Sequence, residues 1–304
     1  MRPRVVLVAV VLITIAIGAL VVPKAFARIT AERPEPSTAT PARPTAAPAA
    51  TLRNAPVTVD TNAPFWSWAL LDRRTGAVTG SARAAETNTT ESMIKAWLVS
   101  DYLRRAAEQG RTPDQATLAR LSTAIRDSND DAAQWAYRQG GGDAVVKRLI
   151  SMCGLTDTTV RSGWWSLTRM SARDAVRMGE CIADGRAAGP KWTDWVLSEM
   201  RQVRGSIGDQ QAKSGGGRWG IIDALPAEMA GSVAIKNGWT PQGYDGRWHV
   251  NCLAIGDGWV LAVQARYPFG EWPDGSAVPT GLDEGARICR SVAEQLLTTG
   301  TAPL

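Results

Sequence analysis

Two sets of strand-like segments stand near opposite ends of residues 58–304, with a long helical stretch between them, and this order limits the available folds. Residues 65–71, Phe-Trp-Ser-Trp-Ala-Leu-Leu, read as a strand. Residues 72–76 read as a turn and 77–81 as a returning strand. Over 92–109 the apolar residues Met93, Ala96, Trp97, Val99, Leu103 and Ala106 recur at helical spacing, and Gly110 closes the pattern. Helical patterns follow at 113–126, 130–139, 142–151, 171–184 with Ser171 as N-cap, and 191–201. The stretches 154–169 and 205–230 carry few periodic signals. Strands are predicted at 232–236, 248–255 and 259–266, then a helix over 282–298. In the first of these strands Val233 and Ile235 alternate with Ala234 and Lys236, as in a half-buried strand. The order predicts an α/β fold: an antiparallel sheet from both chain ends, flanked by helices, plus a helical lobe built from the middle.

The preceding residues differ in kind. Residues 5–22 are an uninterrupted apolar or Gly run behind Arg2 and Arg4, followed by Ala25-Phe26-Ala27, a small-x-small pattern that a signal peptidase could cut. The run is long for a signal and just long enough to span a bilayer, so 1–27 reads as a signal peptide or a membrane anchor. Either places the rest outside the cytoplasm, secreted or anchored. No cysteine stands near residue 27, which argues against lipid attachment. Residues 28–57 form a Pro/Ala/Thr-rich linker, with six of the 17 prolines between 33 and 56, and read as a solvated tether. The formal charge of +5 belongs to these segments: +3 lies in residues 1–27 and +2 in 28–56, which leaves the 58–304 domain neutral. That balance argues against nucleic acid as a partner.

Cys153, Cys181, Cys252 and Cys289 match no zinc spacing. An even count in an exported chain suggests disulfides, with three pairings open and four buried thiols as the alternative. The single histidine, His249, sits between Trp248 and Val250 in a predicted strand and reads as a packing or surface residue. Neither a Ser-His-Asp set nor a metal cluster can be assembled, so the expectation is no metal and no cofactor. A serine nucleophile would then need lysine as its base. Ser92-Met93-Ile94-Lys95 supplies one: on a helix, residues i and i+3 are neighbours, and burial beside a helix N-terminus favours a neutral amine.

Two further elements follow in order: Ser128-Asn129-Asp130 between two helices, and Lys236-Asn237-Gly238-Trp239 at a strand end. Together with Ser92–Lys95 they resemble the S-x-x-K, S-x-N and K-T-G motifs of the serine β-lactamase and penicillin-binding superfamily, on its class A-like branch. The resemblance covers roughly residues 58–300 and implies a β-lactamase/DD-peptidase-like fold. It implies Ser92 as acylated nucleophile, Lys95 as its base, Ser128 as proton shuttle to the leaving nitrogen, and Lys236 as holder of the substrate carboxylate. Asp130, Asn237, Gly238 and Trp239 take substrate-binding positions, and the backbone N–H groups of Ser92 and Trp239 would form the oxyanion hole. In this fold the C-terminal helix crosses the sheet, which implies bridges Cys153–Cys181 and Cys252–Cys289.

The sequence departs from the pattern at three places. Asp130 stands where Asn is usual, Asn237 replaces Thr or Ser, and the stretch before Ser171 holds Asp157 but no Glu, so the usual deacylating carboxylate is missing. Only 36 positions separate Ser92 from Ser128, which suggests a trimmed helical lobe and an open cleft. Trp164, Trp165 and Trp239 would border it. The expected function is an extracytoplasmic serine hydrolase of DD-peptidase or weak β-lactamase type, acting on peptidoglycan peptide or β-lactam. The alternative is a catalytically silent penicillin-binding-like domain that binds wall peptide or a protein partner.

Overall fold

Each predicted strand of the sheet is long enough to pair, and the pairing joins the two chain ends. A computed structural model describes residues 50–53, 56–211, 216–271, 275 and 281–299. The strands are β1 (Ala50–Leu52), β2 (Phe65–Asp72), β3 (Val78–Gly80), β4 (Thr87–Thr89), β5 (Arg169–Ser171), β6 (Ala234–Ile235), β7 (Gly238–Gln242), β8 (Arg247–Ile255), β9 (Trp259–Pro268) and β10 (Leu297–Thr299). The α-helices are α1 (Lys95–Glu108), α2 (Gln115–Arg126), α3 (Asp130–Gln139), α4 (Asp143–Cys153), α5 (Ala172–Ala183), α6 (Thr193–Arg201), α7 (Ile207–Gln211), α8 (Ala227–Ala230) and α9 (Leu282–Leu296). The main sheet runs β3-β2-β9-β8-β6, with β7 also paired to β8. N-terminal β2 lies antiparallel to β9 over its whole length, from Phe65 opposite Arg266 to Asp72 opposite Trp259.

Successive side chains of a strand point to opposite faces, and both faces of this sheet are covered. Val250 and Cys252 face α9, where Cys252 is bridged to Cys289. Leu253 and Ile255 face α5 beside Gly179, where any side chain would collide with Val260. Two-sided burial explains why Val250–Ile255 and Trp259–Ala265 stay buried throughout instead of alternating. The second bridge, Cys153–Cys181, ties the end of α4 to α5. Both pairings are those the resemblance implied.

The helical lobe gathers around α1. Ala96, Trp97, Leu98, Val99 and Leu103 are fully buried, and the Trp97 indole donates to the Val145 carbonyl at 3.0 Å. Ser171 caps α5, accepting from the Asp174 amide at 3.2 Å. Asp174 in turn receives the amides of Thr156 (3.1 Å) and Asp157 (2.7 Å), which anchors the loop that follows α4.

Several local expectations change. The first turn at Ser92 is a 3-10 turn, Glu91–Ile94, ahead of α1. The strand expected at 232–236 pairs only as Ala234–Ile235, and Val233 through Lys236 are all buried, with α6 packed on β6. Strand β7 has no clear period in sequence and forms as a hairpin with the next strand, Gln242 opposite Arg247, whereas the short ribbon β4–β5 forms through long-range pairing, Thr87 opposite Ser171. The 205–230 stretch holds α7, a 3-10 turn Gly220–Ala224 and α8. Ala50–Leu52, inside the predicted tether, pairs with β10 as a separate ribbon. The 1–27 segment lies outside the described residues, as does most of the linker. Among the described residues, no helix is long and apolar enough to cross a membrane.

Candidate active site

Among the described residues only two non-glycine residues take left-handed backbone, Glu91 (φ 48°) and Ser128 (φ 55°). Both line the same cleft, of about 680 Å³. Such backbone costs on the order of 1–3 kcal/mol and concentrates where function holds a side chain in place.

Ser92 lines the cleft from the 3-10 turn, and its hydroxyl has no hydrogen-bond partner among the described residues. One turn on, Lys95 is fully buried on α1. Its ammonium donates to Ser128 Oγ at 3.3 Å, to the Ser128 carbonyl and to Asp130 Oδ1 at 2.6 Å. From the sheet side Lys236, also fully buried, donates to Ser128 Oγ at 2.9 Å. Ser128 therefore stands between two amines that come from sequence positions more than 100 residues apart. Burial pulls Lys95 below the usual lysine range, and the Asp130 charge works against that shift. Burial also pulls Lys236 well below that range, and positive Lys95 adds to the effect.

The swapped order at 129–130 has a local cause. Asn129 caps α3, accepting from the Ala132 amide at 2.8 Å. That places Asp130 in the first helical position, four-fifths exposed and paired with Lys95. Asn237 is placed differently from its expected role. It is buried, and its amide donates to the Gly217 and Trp219 carbonyls at 2.8 and 2.7 Å, so it braces the 217–219 segment and does not line the cleft. Gly238 is required by contact: a Cβ there would lie 2.5 Å from Met93 N and 2.7 Å from Ser92 N. The next residue, Trp239, reaches the cleft beside Ser92, and Trp164 and Trp165 form another wall. The Trp165 ring lies 5.4 Å from Lys95 Nζ and its indole donates to Gln134 at 2.9 Å. Asp157 is absent from the cleft lining; the Arg173 guanidinium holds its carboxyl below the usual range, and Ser171 donates to it at 2.7 Å.

A buried amide network fixes the strand that leads into the nucleophile. Asn251 donates to the Thr89 carbonyl at 2.9 Å and accepts from Asn88 and Gln264, each at 3.2 Å. Several residues of the cleft, among them Asp127, Gln134, Thr240, Gln242 and Glu91, escaped sequence reading. Glu91, next to Ser92, is buried under β7 and accepts from Thr89 Oγ1 at 2.6 Å and Gln242 at 2.8 Å. Its position directly before S-x-x-K was the one available signal.

The same arrangement of lobes occurs in solved structures. The class A β-lactamase from Mycobacterium abscessus superposes with a TM-score of 0.53 at 16% identity, over 76% of this chain and 92% of that one. The TLA-3 extended-spectrum β-lactamase gives 0.59 at 14% identity, over 78% and 94%. This chain has the serine β-lactamase fold.

The chain also has sequence likeness to other proteins. Proteins of Mycobacterium bovis and Mycobacterium tuberculosis named "Putative lipoprotein LppW" are 31% identical over 176 residues, 57% of this chain and 53% of theirs. The chain thus spans about half the length of the curated relatives it matches. No family model matches the sequence.

Proposed function

We propose that this protein is an extracytoplasmic serine acyl-transfer enzyme of the penicillin-binding type, acting on peptidoglycan stem peptide or a β-lactam. The observation that carries this reading is the convergence of Lys95 and Lys236 on Ser128 Oγ, at 3.3 and 2.9 Å, in the cleft that Ser92 lines with a free hydroxyl. In the reaction Ser92 Oγ attacks the acyl carbon and its proton passes to neutral Lys95. The Ser128 hydroxyl gives its proton to the leaving nitrogen and is reprotonated from Lys95. The backbone N–H groups of Ser92 and Trp239 would hold the oxyanion. Placement outside the cytoplasm is supported by the apolar run 5–22, by the two disulfides and by the names of the mycobacterial relatives. Their lipoprotein naming does not carry over as a lipid site: all four cysteines of this chain are bridged.

A second reading, a domain that binds wall peptide without turning it over, is favoured by the Asp130–Lys95 ion pair at 2.6 Å, which opposes the loss of the Lys95 proton that burial favours. One experiment separates them. The protein is incubated with a fluorescent penicillin, then examined by denaturing electrophoresis and intact mass. The enzyme reading expects a penicilloyl adduct on Ser92 that is lost in Ser92→Ala. No adduct at millimolar drug supports the silent domain.

A further inference from the structure

The one histidine of the chain is wired to the residue beside the nucleophile. His249 is buried on β8; its Nε2 lies 2.9 Å from Asp245 Oδ2 and its Nδ1 lies 2.6 Å from Thr89 Oγ1. The same Thr89 oxygen lies 2.6 Å from Glu91 Oε1. Asp245, about a quarter exposed, reaches solvent, and Glu91 lines the cleft. A continuous chain of four side chains therefore joins the cleft to the surface behind β7.

Donor counting limits what this chain can hold. Asp245 is an acceptor, so His249 donates to it from Nε2. In neutral His249 the Nδ1 atom is then an acceptor. Glu91 as a carboxylate is an acceptor too, and Thr89 has a single proton for both. With no extra proton one of the two short contacts to Thr89 Oγ1 has no hydrogen in it. With one extra proton every contact is satisfied in either of two ways. Protonated Glu91 donates to Thr89, which donates to His249 Nδ1. Or His249, doubly protonated, donates to Thr89, which donates to Glu91. The two arrangements interconvert when one proton leaves Glu91 for Thr89 Oγ1 while the Thr89 proton passes to His249 Nδ1; nothing else is gained or lost.

We propose that Glu91 and His249 share one proton through Thr89, and that Glu91, kept neutral by this sharing, is the residue that tunes Lys95 as the base for Ser92. The second half rests on the proposed acyl-transfer function. Burial favours the arrangement with neutral Glu91 and neutral His249, since it avoids two buried charges, and it shifts both groups in that direction. The groups that face the chain are Gln242, Thr240, Asp130 and Lys95 around Glu91, and Tyr244, Arg169 and Arg266 around His249. Tyr244 also reaches Thr89. Glu91 acts on Lys95 through charge: as a carboxylate it holds the ammonium charged, and as an acid it does not. It is a positioning residue for the proton, not a group that contacts the acyl carbon.

The test uses the full chain with histidine labelled at its ring nitrogens, where every signal belongs to His249 because the sequence has no other. At neutral pH the ring is expected as the Nε2–H tautomer, and its titration is expected in two steps that collapse to one in Glu91→Gln and in Thr89→Val but persist in Thr89→Ser. An Nδ1–H tautomer, or one step with the same midpoint in wild type and Glu91→Gln, overturns the shared proton. The second readout is the penicillin acylation rate against pH: Glu91→Gln, an isostere of the neutral acid, is expected to leave the Lys95 limb in place, and Thr89→Val, which ends the sharing, is expected to move it up by about one unit. A limb that moves down in Glu91→Gln, or stays in place in Thr89→Val, overturns the tuning of Lys95. If no adduct forms at all, the acyl-transfer reading fails while the ring titration still decides the proton sharing.

Discussion

Strands β8 and β9 and the cleft floor belong to one sheet yet are built on opposite principles. At the centre of the sheet Val250, Leu253, Val260, Leu261 and Val263 are fully buried and apolar, and a disulfide ties β8 to α9. At the sheet's β7 edge and the start of α1, the chain buries Glu91, Lys95 and Lys236 and twists Glu91 and Ser128 into left-handed backbone. The first region draws stability from apolar burial. The second gives stability up to hold groups in one arrangement, which is the usual trade at a functional site. The contrast marks the cleft as the candidate site without reference to any motif.

The sharpest break of this contrast concerns turnover. On the proposed reading the cleft would supply the groups for acylation, but Asp157 is committed to Arg173 and Ser171 and is absent from the cleft lining. Loss of a general base costs roughly 10²–10⁴ in rate. A burst assay with a chromogenic cephalosporin should therefore show a stoichiometric burst and an adduct that persists for minutes or longer. Sustained turnover at hundreds per second would reveal a base within the cleft, with Glu91 the first residue to replace.

The next effect belongs to the core. Replacing both Cys252 and Cys289 by Ala should lower unfolding free energy by about 2–4 kcal/mol, measured by denaturant titration, and leave the acylation rate constant unchanged. A large drop in acylation would mean that α9 and the cleft are coupled and the two regions are not independent.

The cleft should respond in the opposite sense. Lys236→Met removes a fully buried amine and should abolish the adduct while raising stability at pH 7 by about 1–2 kcal/mol. Lys236 holds its proton less tightly folded than unfolded, so the unfolded chain binds more protons between the depressed folded value and the ordinary 10.5. Wild-type stability should rise with pH across that window, and the advantage of Lys236→Met should shrink there. Thermal melts at pH 7 and pH 10 check both signs.

The smallest effect separates enzyme from binding domain. Asp130→Asn removes the charge that keeps Lys95 protonated, so acylation should quicken about tenfold near pH 7 and the pH optimum should move down by about one unit. Stopped-flow labelling across pH decides it; an unchanged rate would show that Lys95 is not the base.

Much of this molecule was legible in one dimension. The hairpin at 65–81, the helical patterns from 92 to 201, and the β8–β9 pair are local regularities, since period and turn residues are properties of adjacent positions. Ser92 and Lys95 were legible for the same reason, three residues apart on one helix face. The strand β7 was not, because Gly-Trp-Thr-Pro-Gln has no alternation and pairs only because β8 is beside it.

What the sequence determined by itself, then, is the order of elements, the neutral body behind a charged tail, and the residue types of the candidate Ser-Lys site. The tertiary structure alone decided how those groups are used. It turned Asn237 away from the cleft into the Gly217 and Trp219 carbonyls, set Asp130 against Lys95, and brought Gln242 to Glu91 and His249 to Thr89, each pair more than 150 positions apart. The physical reason is that a side chain's charge state and direction depend on burial and on partners distant in the chain. Neither has any trace in local spacing, and both appear only when the sheet edge closes against the start of α1.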